Sequence, residues 1–178
     1  KPDLIVLGYG TNEGFNDSLD APAYARRVSE LVSRLKQDAP RASLLVIGPP
    51  DGARLPKFAR SDASARDRCG ALSEGERETY AQLKASKSEE LARWHAPPSL
   101  SRVRSSLQEV AEISDARFWD WSKVMGGPCG IHKWANAEPS LAASDHVHLR
   151  SAGAKRSAQA LFKELMAGYE AHVRLARR

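Results

Sequence analysis

Leu4-Ile5-Val6-Leu7-Gly8-Tyr9-Gly10-Thr11-Asn12-Glu13 decides the architecture. An unbroken apolar run entering a glycine-rich loop reads as a strand, about 3–9, of the kind buried on both faces of a parallel sheet. Beyond Asn16-Asp17-Ser18 and Ala21-Pro22, the apolar residues Tyr24, Val28, Leu31, Val32 and Leu35 recur at three- and four-residue steps. That spacing predicts an amphipathic helix, stopped at Asp38-Ala39-Pro40. Ser43-Leu44-Leu45-Val46-Ile47 then reads as a second strand, ended by Gly48-Pro49-Pro50. Strand, helix and strand at this spacing make a βαβ unit, whose crossover is right-handed in nearly all proteins.

From about 52 to 93 large apolar residues thin out and charges multiply, which predicts a loop-and-helix insertion forming a solvated face, with a helix running from Ser73 to Glu90. After the turn at Trp94-His95-Ala96-Pro97-Pro98, a helix from Ser99 to about Ser114 carries Val103, Leu107, Val110 and Ile113 on one stripe. Ala116 to Trp121 reads as a short third strand, followed by a flexible loop, Met125 to Gly130, and the aromatic-rich Ile131-His132-Lys133-Trp134. The last helix, about 152–173, places Ala158, Leu161, Phe162, Leu165, Met166 and Tyr169 on one face, expected to pack on the sheet. This alternation predicts an α/β fold with a mainly parallel sheet. Three strands are few for such a sheet, and Lys1-Pro2-Asp3 leads at once into the first of them. The chain therefore reads as a domain whose front is missing.

The 178 residues suffice for one sizeable core, and no apolar run approaches the roughly 18 residues of a membrane span. A net charge of +5 suggests an anionic partner, but basic and acidic residues are interspersed, and no basic run interleaved with aromatics points to nucleic acid. Cys69 and Cys129 lack the spacing of a zinc or redox motif. They are either a disulfide of an exported protein or two separate thiols.

Chemistry concentrates in two places. Asp145 and His148 offer a general base and an orienting carboxylate three residues apart, close enough to converge across a tight turn. Asn12, in the loop after the first strand, offers a side-chain amide to an oxygen that gains negative charge, with backbone N–H groups such as that of Gly10 beside it. Duller readings stand next to these: Asn12 as a turn former, Asp145 as a cap, His146 and His148 as solvated or metal-binding alternates. His146 and His148, two apart, share a face of extended chain, but the sequence offers no third ligand beside them, so no joint chelate is expected. His132 and Trp134 are candidates for touching substrate, although Phe118, Trp119, Trp121 and Trp134 read more readily as packing. His95 and His172 carry no signal.

Together these pieces resemble the SGNH, or GDSL-type, hydrolase family. Gly10-Thr11-Asn12-Glu13 after a strand matches that family's Gly-x-Asn-Asp block, with Glu13 in place of Asp. Asp145-His146-Val147-His148 with Gly153 matches its Asp-x-x-His block. Tyr9 to Glu13, Phe118 to Gly127, and the Trp134 to His148 spacing look most like the peptidoglycan O-acetylesterase branch. The resemblance implies a flavodoxin-like three-layer sandwich, a site made of Asn12 and Gly10 (oxyanion hole), His148 (base) and Asp145, and acyl-enzyme chemistry with no metal or cofactor. It implies an O-acetylated cell-wall or exported glycan as substrate and a periplasmic or secreted location. No serine here lies in a Gly-Asp-Ser context, so residues 1–178 read as the C-terminal part of such a domain, with no nucleophile of its own and a serine on an absent N-terminal segment, either cut away or carried on a separate chain. The alternatives are a glycan O-acetyltransferase and a non-catalytic glycan-binding module of the same fold.

Overall fold

The computed structural model describes residues 2–176. Strand β1 (Leu4–Gly8) is followed by the single turn α1 (Thr11–Gly14), helix α2 (Ala21–Asp38) and strand β2 (Ser43–Gly48). Three short helices, α3 (Ala63–Asp67), α4 (Glu74–Glu78) and α5 (Tyr80–Ala85), precede α6 (Pro98–Ile113). Strand β3 (Arg117–Asp120), α7 (Trp121–Val124), α8 (Gly130–Ala135) and the long α9 (Ser151–Ala176) complete the order. The strands lie in the order β1-β2-β3, all parallel, with Leu7 opposite Val46 and Ile47 opposite Trp119. Among the described residues no helix is long and apolar enough to cross a membrane.

Helix α2 starts where Asp20 accepts a hydrogen bond from the Ala23 amide (2.9 Å), with Pro22 in the first turn, where a missing N–H costs nothing. Its Tyr24 and Val32, with Val103, Leu107 and Val110 of α6, close over Ile5, Leu7, Leu44, Val46 and Phe118 on one face of the sheet. Each fully buried side chain of this size contributes about 1.5–3 kcal/mol. This face is the main core.

On the opposite face the sequence expectations need correcting. Strand β1 is an edge strand buried on one side only: Leu4 and Val6 are 44% and 48% exposed. Among its described residues helix α9 buries Gly153 and Ser157 alone against the body and leaves Phe162, Leu165, Met166 and Tyr169 exposed. An amphipathic stripe shows which face of a helix is apolar, not that another element covers it. His172 is exposed on the same helix.

Most of the region 52–93 is exposed, but it is not surface alone. It holds two small cores, Leu55, Ala59, Ala65 and Ala92, and Leu72, Tyr80 and Leu91. The expected helix from Ser73 to Glu90 is broken at Thr79 and ends before Lys87, whose φ of 55° is left-handed. His95, which carried no sequence signal, is fully buried, with Tyr80 Oη 3.0 Å from its Nε2 and the Arg93 carbonyl 2.8 Å from its Nδ1. That carbonyl fixes the ring proton on Nδ1, so Nε2 accepts from the tyrosine, and burial holds the imidazole pKa below its ordinary value. Cys69 and Cys129 form a disulfide, and the aromatic-rich segment after the expected loop forms α8, which begins at Gly130.

Gly153 shows how tightly α9 joins the 141–150 loop. A Cβ there would lie 2.0 Å from the Leu141 carbonyl oxygen, which accepts the Arg150 amide at 2.9 Å. Helix propensity alone favours alanine over glycine by about 1 kcal/mol. The forced shift of that carbonyl outweighs it, and Gly153→Ala is expected to destabilise the protein by about 1–3 kcal/mol, read as a lower urea midpoint.

Candidate active site

The loop before α9 is shaped by one carboxylate. Asp145 Oδ1 accepts the amides of Val147 (2.9 Å) and His148 (3.0 Å), the local bonding that makes aspartate a turn former, while Oδ2 lies 2.7 Å from His148 Nδ1. His146, at the centre of the turn, takes a left-handed φ of 59°. An ionised carboxylate only accepts, so His148 carries its proton on Nδ1 and keeps a lone pair on Nε2. Partial burial pushes the Asp145 pKa up. Hydrogen bonds from the His148 amide, the His148 ring and the Val147 amide outweigh it and hold the carboxyl at about 2, against an ordinary 3.8. The turn's carboxylate is thus charged throughout the neutral range, and its contribution to stability is complete above the ordinary value and fades as pH falls toward 2.

The glycine-rich loop is built for close packing. A Cβ on Gly10, whose φ is 111°, would stand 2.5 Å from Val103 Cγ1, so the chain turns there only without a side chain. Gly14 lies equally close on Leu100, pinning α1 to α6. Gly10 is buried rather than on the cavity wall, whereas Asn12, one residue into α1, is exposed.

A cavity of about 630 Å³ opens beyond the strand ends, between the sheet and α9. Asn12 and His148 both line it, together with Ile47, Trp119, Trp121 and Ser157. The structure therefore brings the amide from one end of the sequence and the imidazole from the other to one cleft. This is the position, outside the carboxyl ends of parallel strands, where open α/β sheets bind ligands. Among the described residues no hydroxyl is hydrogen-bonded to His148 Nε2. The hydroxyl-bearing residues on the wall are Thr11 and Ser157, and Ser157 Oγ accepts the Trp121 indole N–H at 2.9 Å.

His132 and Trp134 are not placed to meet substrate as expected. Trp134 is 5% exposed, packed with Met125, Ile131 and Ala142, and covered by the Arg156 guanidinium 5.4 Å from its ring centre. His132 spends both ring nitrogens on protein, 3.0 Å from His146 Nε2 and 3.3 Å from Asn136 Nδ2. Trp119 and Trp121 take the wall instead. Sequence offered no way to separate these two indoles from Trp134, because all three sit in aromatic-rich segments beside a loop.

No curated protein matches the chain. Among solved structures, a peptidoglycan O-acetylesterase in action superposes with a TM-score of 0.72 at 26% identity, over 95% of this chain and 38% of its own. A protein named as a GDSL-like lipase from Parabacteroides merdae ATCC 43184 superposes with a TM-score of 0.53 at 15% identity, over 89% of this chain and 57% of its own, a likeness of fold alone. The present chain thus spans under two fifths of the length of the first of these. A family model described as GDSL-like Lipase/Acylhydrolase matches residues 1–161. The expectation of a C-terminal remnant is corrected: the family model matches residues 1–161 and the superposition covers 95% of this chain, so the hydrolase fold runs through nearly the whole of it. With that model matched over residues 1–161, the chain belongs to the GDSL-like lipase/acylhydrolase family.

Proposed function

We propose that this chain is an esterase domain that hydrolyses O-acetyl groups on a glycan, with peptidoglycan as the favoured substrate class. The observation that carries the proposal is the convergence of Asn12 and the Asp145-oriented His148 on one cavity. The likeness to a peptidoglycan O-acetylesterase supports the choice of glycan.

In this mechanism His148 Nε2 takes the proton of the attacking hydroxyl as its oxygen bonds to the acetyl carbon. It then passes that proton to the departing sugar oxygen. Water attacks the resulting acyl-enzyme with the same imidazole as base, releasing acetate. Asp145, ionised and bonded to Nδ1, keeps the ring in the productive tautomer and stabilises the imidazolium. Asn12 donates from its side-chain amide to the carbonyl oxygen as negative charge develops there, and the Gly10 turn sets the position of that amide. The Cys69–Cys129 disulfide supports an oxidising compartment, outside the cytoplasm.

The test is acetate release from O-acetylated peptidoglycan, assayed beside acetyl transfer to a free sugar. Acetate release with water as acceptor is expected; transfer without release would replace hydrolysis by acetyltransfer, and binding without either would reduce the domain to a glycan-binding module. Asn12→Ala is expected to lower kcat by about 10²–10³-fold, the usual cost of one oxyanion donor, with KM little changed.

A further inference from the structure

We propose that His146, locked between Trp94 and His132, is the positioning residue that sets the geometry of the Asp145–His148 pair. Asp145, one residue before it, and His148, two residues after it, are exposed, and Val147 is half-buried, whereas His146 is 5% exposed. The turn is therefore anchored to the body through this one side chain. The imidazole stacks on the Trp94 indole with ring centres 3.6 Å apart and planes 18° apart. Its backbone is held as well: the amide donates to the Ala143 carbonyl (3.1 Å), and its carbonyl accepts the Ala53 amide (2.9 Å).

Partners fix every proton in the chain of rings. The Ser144 carbonyl lies 2.9 Å from His146 Nδ1 and can only accept, so Nδ1 carries the proton and Nε2 is bare. His132 Nδ1, 3.0 Å away, must then donate to it, which leaves His132 Nε2 bare to accept from Asn136 Nδ2. Burial holds the His146 pKa below its ordinary value, with His132 acting in the same direction and the Ser144 carbonyl and Asp145 against it. Both walls are themselves fixed. The Trp94 indole donates to the Arg66 carbonyl (3.0 Å), and the buried Asp51 carboxylate accepts the Ile131 amide (3.0 Å) at the start of α8, one residue before His132. A side chain held by stacking on one face and a hydrogen bond at its edge has one rotamer and no slack. The left-handed backbone that His146 adopts converts that rigidity into the approach of Asp145 to His148.

The inference rests on the esterase reading for its kinetic arm and has a second arm free of it. His146→Gly tolerates the left-handed backbone but removes the anchor. His132→Leu removes the donor, and His132→Asn restores an N–H near the position of Nδ1. Acetate release by His146→Gly and His132→Leu is expected to fall about 10- to 100-fold in kcat with KM within about twofold of wild type, the cost of an ångström-scale misplacement. His132→Asn is expected to recover most of the loss. In proton NMR, the downfield resonance of His148 Nδ1–H, present in wild type, should vanish or broaden in His146→Gly and His132→Leu and return in His132→Asn. Wild-type kcat and an intact resonance in folded His132→Leu would overturn the proposal, even where His146→Gly fails to fold. A wild-type protein with that resonance but no ester hydrolysis would sink the esterase reading alone.

Discussion

His148→Ala will lower kcat for acetate release by about 10⁶-fold, the range seen when the base of a hydroxyl–imidazole–carboxylate system is removed. The effect is chemical rather than structural. The His148 side chain is 79% exposed, and its ring makes one hydrogen bond, to a neighbour in the same turn. Substitutions at such surface sites change stability by about 0.5 kcal/mol or less, so an unchanged urea midpoint is expected beside the lost rate. Asp145→Asn is the sharper companion. An asparagine oxygen still accepts the amides of Val147 and His148, which keeps the turn, but its NH₂ then faces the Nδ1–H of His148, donor against donor. The ring relieves the conflict by moving its proton to Nε2, the nitrogen that has to accept from the nucleophile. A loss of about 10³–10⁴-fold follows, with KM nearly constant. A fluorophosphonate should label one hydroxyl of the wild-type protein and react far more slowly with His148→Ala, and peptide mapping of the adduct identifies that hydroxyl. Full activity in His148→Ala would remove the imidazole from the mechanism.

The parts of this molecule visible in its sequence are those where a short-range rule acts unopposed. Leu4 to Leu7 and Leu44 to Ile47 are apolar enough to mark two strands, though not to tell the edge strand from the central one, and the spacing of Tyr24, Val28, Val32 and Leu35 leaves a single helical face to bury. Asp145 and His148 were legible because an aspartate reaches the amides two and three residues ahead of it, so the turn that joins the pair is written locally. Burial in 52–93 was not legible. Its cores rest on alanines 59, 65 and 92, which carry no periodic signal, and on pairings such as Tyr80 with His95 that no local pattern announces. His146 defeated a different rule. Alternation along an extended strand would put it on the same face as His148, yet a left-handed turn gives the two opposite surroundings, one buried and one exposed. What makes it buried is Trp94, fifty-two positions away, and no spacing within the motif reveals that.

Removing the disulfide with Cys69→Ala/Cys129→Ala is expected to cost about 4 kcal/mol of stability, because the link closes a loop of sixty residues whose freedom in the unfolded chain it restricts. Its place in the fold ties that cost to the site. Cys69 pairs alongside Trp94 in a short parallel bridge, and Cys129 precedes the first residue of α8. The two sulfurs therefore join the segment that carries the indole under His146 to the helix that carries His132. At the α8 start the packing leaves little room: a Cβ on Gly130 would fall 2.3 Å from the Met125 carbonyl oxygen, so the helix cannot slide to compensate. Two readouts separate the roles of the bond. The urea midpoint under non-oxidising and non-reducing conditions measures the unfolded-state restriction, and kcat measured well below that midpoint reports whether the walls around His146 have drifted. A stability loss below about 1 kcal/mol would mean that the small cores of 52–93 hold that region without help from the chain entropy the bond removes. A loss near the expected value with kcat unchanged would confine the disulfide to stability and leave the anchoring of His146 to Asp51, Arg66 and their backbone partners.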